Sequence, residues 1–221
     1  MSTIEELLKN NAEWSEKAKV RYPDFFLELA QGQKPKFLWI GCSDSRIQPN
    51  LITGLKPGEL FVHRNIANMA LPDDVNTQSV IQYAVEQLKV EHIIVCGHYH
   101  CGGILSCKNN TFTGDLGKWI NKLNESFKKY DLDIPDCEHE ETRLNLLSEI
   151  NAIEQVKNIS KTLPVTKAWS NNQKLDIHAW IYDIGTTTIR DLNFTLTSSS
   201  DIEKEFKNSL DELIERTNKK L

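Results

Sequence analysis

The runs FLWIG (37–41), LFVHR (60–64) and HIIVCG (92–97) constrain this chain more than any other feature. Each is apolar on successive residues rather than on alternate ones, and each is too short for an ordinary helix. A strand with that pattern is buried on both faces, as in parallel sheets covered by helices. LDIHAWIYDI (175–184) is a fourth run, and TTIRDLNF (187–194) reads as its hairpin partner. Helix-period segments lie between the strands. Residues 76–89 place Val80, Ile81, Ala84, Val85 and Leu88 on one side, and 116–130 and 140–160 follow, the latter through Leu144, Leu147, Ile150 and Ile153. Strands alternating with helices predict an α/β fold: a mostly parallel central sheet of about four strands plus an antiparallel edge strand, flanked by helices.

The first strand is preceded by an N-terminal helical arm. Thr3 and Glu6 form a capping-box pattern, and a helix over 3–16 puts Ile4, Leu7, Leu8 and Trp14 on one side. A short second helix follows Pro23 with Phe25, Phe26 and Leu29. At the other end, Ser200 and Glu203 cap a helix with Ile202, Phe206, Leu210 and Leu213 at helical spacing. Residues 1–221 therefore read as a single domain: an arm over 1–34, an α/β core over 35–195 and a C-terminal helix over 196–221.

Composition narrows the partners. Lys and Arg total 26 against 31 Asp and Glu, a net charge of −5, which gives no support for nucleic acid or an anionic membrane. No apolar run approaches the roughly 18 residues of a membrane span. The start, MSTIEELLKNN, has no apolar signal core, so the cytoplasm is the expected location. Five cysteines without a signal argue against a disulfide framework. Cys96, inside HIIVCG, reads as a buried core thiol, and Cys107 and Cys137 have no partner at a diagnostic spacing.

Cys42 and Cys101 differ. They sit in GCSDSR (41–46) and GHYHCGG (97–103), each directly after a strand-like run. In open α/β sheets, ligands bind outside the carboxyl ends of the strands. Cys42 and His98 meet there if their strands are neighbours, and Cys101 is three residues beyond His98. Two thiolates and an imidazole suit zinc rather than magnesium or calcium, and three protein ligands leave a position for water. Zinc lowers the pKa of such a water to about 7 in the best-known case. Two thiolates cancel the ion's formal charge, so local tuning is expected, and Asp44 and Arg46 are the candidates. A carboxylate held by a guanidinium stays ionised and aimed. Released, Asp44 is near enough to ligate the metal itself and close the site. Other readings of the same residues are a structural zinc with Asp44 as permanent fourth ligand, or a redox thiol site, although C-x-x-C is absent. His100 competes as a ligand. His63, His92, His139 and His178 have no metal spacing and read as core, strand or surface residues. No dinucleotide or phosphate loop is present.

CSDSR, then G-E-x-F-V-x-R-N (58–65), then GH-x-x-CGG, in order and at family-like spacing over roughly 35–190, closely resemble the β-class carbonic anhydrases. The resemblance implies one Zn2+ per subunit on Cys42, His98 and Cys101, with Asp44 and Arg46 as a catalytic dyad. It implies reversible hydration of CO2 to bicarbonate and a proton by attack of zinc-bound hydroxide. It implies a homodimer with arms wrapped over the partner, or a dimer of dimers, and a substrate pocket around Phe61, Ile66 and Tyr83. Trp39, Arg64 and Tyr182 match a bacterial-type subclass with a second, non-catalytic bicarbonate site. Bicarbonate and low pH would there favour the state in which Asp44 leaves Arg46 for zinc. HAW (178–180) in place of H-G-W, Tyr99, His100 and the loop 106–116 depart from the usual pattern. Rival functions are a lyase or hydrolase for CO2-like sulfur compounds, and a non-catalytic zinc-stabilised scaffold, against which an intact Asp44–Arg46 pair speaks.

Overall fold

The computed structural model describes residues 3–109, 112–129 and 140–218. The chain divides into two compact units, Met1–Lys34 and Pro35–Leu221.

In the first unit, helix α1 (Ile4–Arg21) begins with the expected capping box. Thr3 Oγ1 accepts from the Glu6 N–H at 3.1 Å, and the Glu6 carboxylate accepts from the Thr3 N–H at 2.7 Å. Glu5 and Glu6 in the first turn and Lys19 and Arg21 in the last complement the helix dipole. The helix runs past residue 16 because no breaker precedes Pro23. Helix α2 (Phe25–Leu29) follows, and Trp14 meets Phe26 edge-on at 5.5 Å. Ile4, Leu7 and Leu8 stay exposed.

The second unit holds one sheet of five strands in the order β2-β1-β3-β4-β5. They are β1 (Phe37–Cys42), β2 (Leu60–Asn65), β3 (His92–His98), β4 (Asp176–Asp183) and β5 (Thr188–Leu196). The first four pair in parallel, and β5 runs antiparallel to β4 at the edge. This is the architecture expected from the apolar runs, and both faces are indeed covered. Leu38, Ile40, Ile93, Val95 and Ile177 share one cluster with Ile150, Ile153 and Val156 of α7 (Glu140–Ser160). Trp39, Ile94, Cys96 and Tyr182 form a cluster on the other face. Cys96 is buried there, and burial pushes its thiol pKa up. Cys107 is half-buried and likewise raised, to about 12. Cys137 and His139 lie outside the described residues.

Several boundaries differ from expectation. The 76–89 segment is α4 (Val75–Gln82) running into one wider turn over Tyr83–Gln87. Lys89, at φ 56, then turns the chain into β3. The last helix, α9 (Ile202–Asn218), is capped by Asp201, whose Oδ1 accepts from the Lys204 N–H at 3.2 Å. Ser200 instead closes the preceding turn by accepting from the Thr197 N–H at 3.1 Å. Three short helices gave no clear periodic signal: α3 (Pro49–Thr53), α5 (Gly102–Asn109) and α8 (Leu163–Ser170). Helix α6 (Gly114–Lys128) fills the 116–130 segment.

Candidate metal centre

Cys42 is the last residue of β1 and His98 the last of β3. These strands are hydrogen-bonded neighbours, so both side chains emerge at the same carboxyl edge. His100, at φ 55, turns the chain, and the Cys101 carbonyl accepts the first bond of α5, from the Leu105 N–H at 2.9 Å. His98 and Cys101 are thus brought together by a strand end and a turn rather than along one helix. The ligand atoms of Cys42, His98 and Cys101 all lie within 4.8 Å of one another and are buried. The two sulfurs are 3.9 Å apart.

The imidazole decides what this cluster is suited to. His98 Nδ1 lies 2.9 Å from the Tyr99 carbonyl oxygen. A carbonyl only accepts, so Nδ1 carries the proton and Nε2 holds the lone pair. His98 is fully buried, and among the described residues Nε2 has no hydrogen-bond partner. A buried orphan of this kind needs a reason, and a metal supplies one, since a ligating histidine typically donates its other N–H to a carbonyl or carboxylate. The thiols fit as well. The Cys42 pKa is lowered by the hydrogen bond from Cys101, against burial, with further help from the Ala67 backbone N–H. Cys101 is raised because it keeps the proton shared with Cys42 and is buried, although N–H groups of Ile104 and Gly103 at the start of α5 oppose this. A divalent cation deprotonates a coordinating thiol outright. Two sulfurs and one nitrogen are a zinc donor set.

Asp44 stands beside the cluster in Arg46's grip. The Arg46 Nε donates to Asp44 Oδ1 at 2.8 Å and Nη2 to Oδ2 at 2.6 Å, while the Arg46 backbone N–H reaches Oδ1 at 3.0 Å. These bonds hold the Asp44 carboxyl far below the usual range. Its Oδ2 is 3.9 Å from His98 Nε2, next to the ligands without bonding to them. Arg46 Nη2 also donates to the His100 carbonyl at 3.2 Å, which ties the two motif loops together. His100 itself points away and pairs with Glu141 at 3.6 Å, both well exposed.

The other expected residues fall in three places. Arg64 donates from Nε to the Cys42 carbonyl at 2.8 Å and from Nη2 to the Asp44 carbonyl at 2.6 Å, so its guanidinium clamps the backbone on both sides of Ser43. Trp39 and Tyr182 are buried in one cluster, and among the described residues Trp39 Nε1 has no partner. That indole lies over Gly41, where any Cβ would come within 2.3 Å of Nε1; Gly41 is the register partner of Arg64. Ile66 packs near Gly103, whose Cβ, if present, would sit 3.0 Å from Ile66 Cγ2 and from Ala67 Cβ. Phe61 and Tyr83 face each other at 5.8 Å, with Phe61 against the main core rather than with the cluster around Cys42 and Cys101.

Residues with no motif of their own support the site. Ala67 and Asn68 adopt left-handed backbone, φ 62 and 47, at a cost of roughly 1–2 kcal/mol for an L-residue. Helix α7 holds this turn. Asn151 Nδ2 donates to the Ala67 carbonyl at 2.8 Å, Gln155 Oε1 accepts from the Ala70 N–H at 2.8 Å, and Gln155 Nε2 donates to Asn151 Oδ1 at 2.9 Å. Two polar residues four apart on the apolar stripe of 140–160 were the available signal. Likewise, Tyr99 donates its hydroxyl to the buried Glu149 carboxylate, which Arg190 and Arg216 also contact.

Comparison with known proteins agrees with this geometry. The family model described as carbonic anhydrase matches residues 37–189. A carbonic anhydrase of Emericella nidulans is 38% identical over 203 residues, covering 91% of this chain and 89% of its own. A Coccomyxa β-carbonic anhydrase, solved with acetazolamide, superposes with a TM-score of 0.84 at 29% identity, covering 95% of this chain and 98% of its own. One of two tetrameric β-carbonic anhydrases of Sordaria macrospora gives 0.81 at 35% identity, over 86% of this chain and 97% of its own.

Proposed function

The chain belongs to the β-class carbonic anhydrases, and on that premise we propose that Cys42, His98 and Cys101 hold the zinc ion with which it interconverts CO2 and bicarbonate. The observation that carries the assignment is the buried, unpartnered Nε2 of His98, with its Nδ1 proton already committed to the Tyr99 carbonyl. Zinc held there would lower the pKa of a water toward neutrality and so supply a nucleophile for an uncharged gas.

The protein's own residues do the rest. Arg46 keeps Asp44 ionised and aimed beside the ligands, where its Oδ2 can accept a hydrogen bond from the reacting water and orient it. The Arg46 contact to His100 holds that dyad in register with Cys101. Ile66, next to Ala67 and Gly103, offers apolar surface suited to CO2, whereas Phe61 and Tyr83 stand apart from the cluster within one chain. Cys42→Ser tests the assignment: zinc content by mass spectrometry and CO2 hydration by stopped flow should fall together. Full zinc occupancy in this variant would refute it.

Regulation is read from Arg64. Its guanidinium bonds the Cys42 and Asp44 carbonyls, so an anion that draws Arg64 away loosens the loop carrying Asp44. Bicarbonate near Arg64, Trp39 and Tyr182 would thereby favour Asp44 leaving Arg46 for the metal, as in the bacterial-type subclass. The unpartnered Trp39 Nε1 beside Gly41 is a donor suited to that anion. The enzyme assembles as a homodimer or a dimer of dimers through its arms, in keeping with the apolar exposure of α1. It works in the cytoplasm, where a thiolate site and the unpaired Cys96 and Cys107 stay reduced.

A further inference from the structure

At the far ends of β3 and β4 from Cys42 and His98, a second group of ligand types converges. His92 and Asp176 are register partners at the first positions of the two strands, and His178, two residues on, shares their face. His92 Nδ1 lies 3.1 Å from His178 Nε2 and 3.9 Å from Asp176 Oδ2. The three ligand atoms all fall within 4.8 Å of one another, and the three residues are half-buried. Given that β3 is seven residues long, this group lies about 20 Å from His98.

Both rings are oriented from outside the group. His178 Nδ1 is 3.0 Å from Thr195 Oγ1, on the facing position of β5. With that nitrogen donating to the hydroxyl, the Nε2 lone pair is turned toward His92. Phe37 stacks on the His92 ring, 5.4 Å between centroids at 19°. The nearby lysines are engaged elsewhere: Lys174 and Lys36 pair with Glu91 at 2.7 and 3.7 Å. Among the described ion pairs, Asp176 has His92 as its partner.

We propose that His92, Asp176 and His178 form a second metal site, for a borderline divalent transition-metal ion of the zinc class, bound by two imidazoles and a carboxylate. Ligands at about 2.0–2.1 Å from zinc stand a little over 3 Å apart, which is the spacing the two nitrogens already have. Imidazole with carboxylate selects this class of ion over calcium or magnesium. In the metal-free protein the facing nitrogens share one proton. Binding moves that proton to the far nitrogen of the His92 ring and leaves both facing nitrogens free as ligands. The site is more exposed than the Cys42 cluster and lacks thiolates, so it fills at higher metal concentration. Once filled, it ties β4 to β3.

The test is equilibrium dialysis of the full-length zinc enzyme against zinc chloride at neutral pH, read as equivalents per chain. Wild type should bind two. His92→Ala and His178→Ala should each bind one and keep full CO2 hydration. Thr195→Val should bind the second about 10–100-fold more weakly, as expected for loss of a residue that orients a ligand. Cobalt(II) gives an independent readout that needs no variant: the second equivalent should add visible bands without new thiolate-to-metal charge transfer. A single equivalent in wild type overturns the proposal. So does a second equivalent that persists in both histidine variants, which would assign it to adventitious surface histidines such as His100. Should a histidine variant fail to fold, Thr195→Val and the cobalt spectrum decide, and an unchanged affinity in Thr195→Val or new thiolate charge transfer counts against the site.

Discussion

Arg64 shows how one side chain joins backbone control to chemistry. Its two bonds run to the carbonyls of Cys42 and Asp44, the proposed ligand and the residue that would compete with water for the metal. On the proposed regulation, an anion at Arg64 would act on loop geometry rather than on the metal directly. Arg64→Ala and Tyr182→Phe should both relieve bicarbonate inhibition, and the pH–rate profile of each should extend activity to lower pH than wild type. Tyr182→Phe is the cleaner probe, since it leaves the clamp in place. Unchanged bicarbonate inhibition in both variants would sink the regulatory reading. At this scale the sequence was most informative about Cys42, Asp44, Arg46, His98 and Cys101. Short local motifs hold them, and the chemistry needs those residue types.

At the scale of elements, the strands were legible because burial on both faces writes itself into continuous apolar runs. The short helices were not, since α3, α5 and α8 are only five, eight and eight residues long, too few to display a periodic stripe. The support that α7 gives to the Ala67 turn was also hidden, because Asn151 and Gln155 acquire meaning only once a carbonyl and an N–H from 84 or 85 residues away arrive beside them. Helix α9 is joined to α7 through Glu203, which pairs with Lys157 at 2.9 Å and with Lys161, just beyond α7, at 2.6 Å. Hydrogen bonds from Lys161, then Lys157, lower the Glu203 pKa from 4.5 to about 2. A depressed folded-state pKa means the pairs stabilise the fold above the ordinary carboxylate range and are lost as pH falls toward 2. The Glu203 side chain is 65% exposed, so the loss on Glu203→Gln should be no more than about 1 kcal/mol at pH 7. Urea denaturation should show this gap closing as pH drops below about 4; a gap that widens instead would contradict the pairing.

For the whole molecule, the first unit stands out. Leu8 and Ile4 are each 70% exposed on α1 in the single chain, an apolar stripe suited to a second copy. Leu8→Glu should lower the sedimentation mass while leaving helix content intact. An unchanged oligomer in that variant would place the subunit contact elsewhere.

The sequence by itself determined the fold class and pointed to Cys42, His98 and Cys101, which the structure brings together. Apolar patterning is a local record of burial, and candidate metal ligands at or just past strand ends need only their own motifs. Tertiary structure alone decided which residues without motifs matter. His92 and His178, 86 positions apart, read as ordinary strand residues until β3 and β4 paired in register and brought their ring nitrogens face to face. That pairing is non-local, set by the packing of the whole sheet.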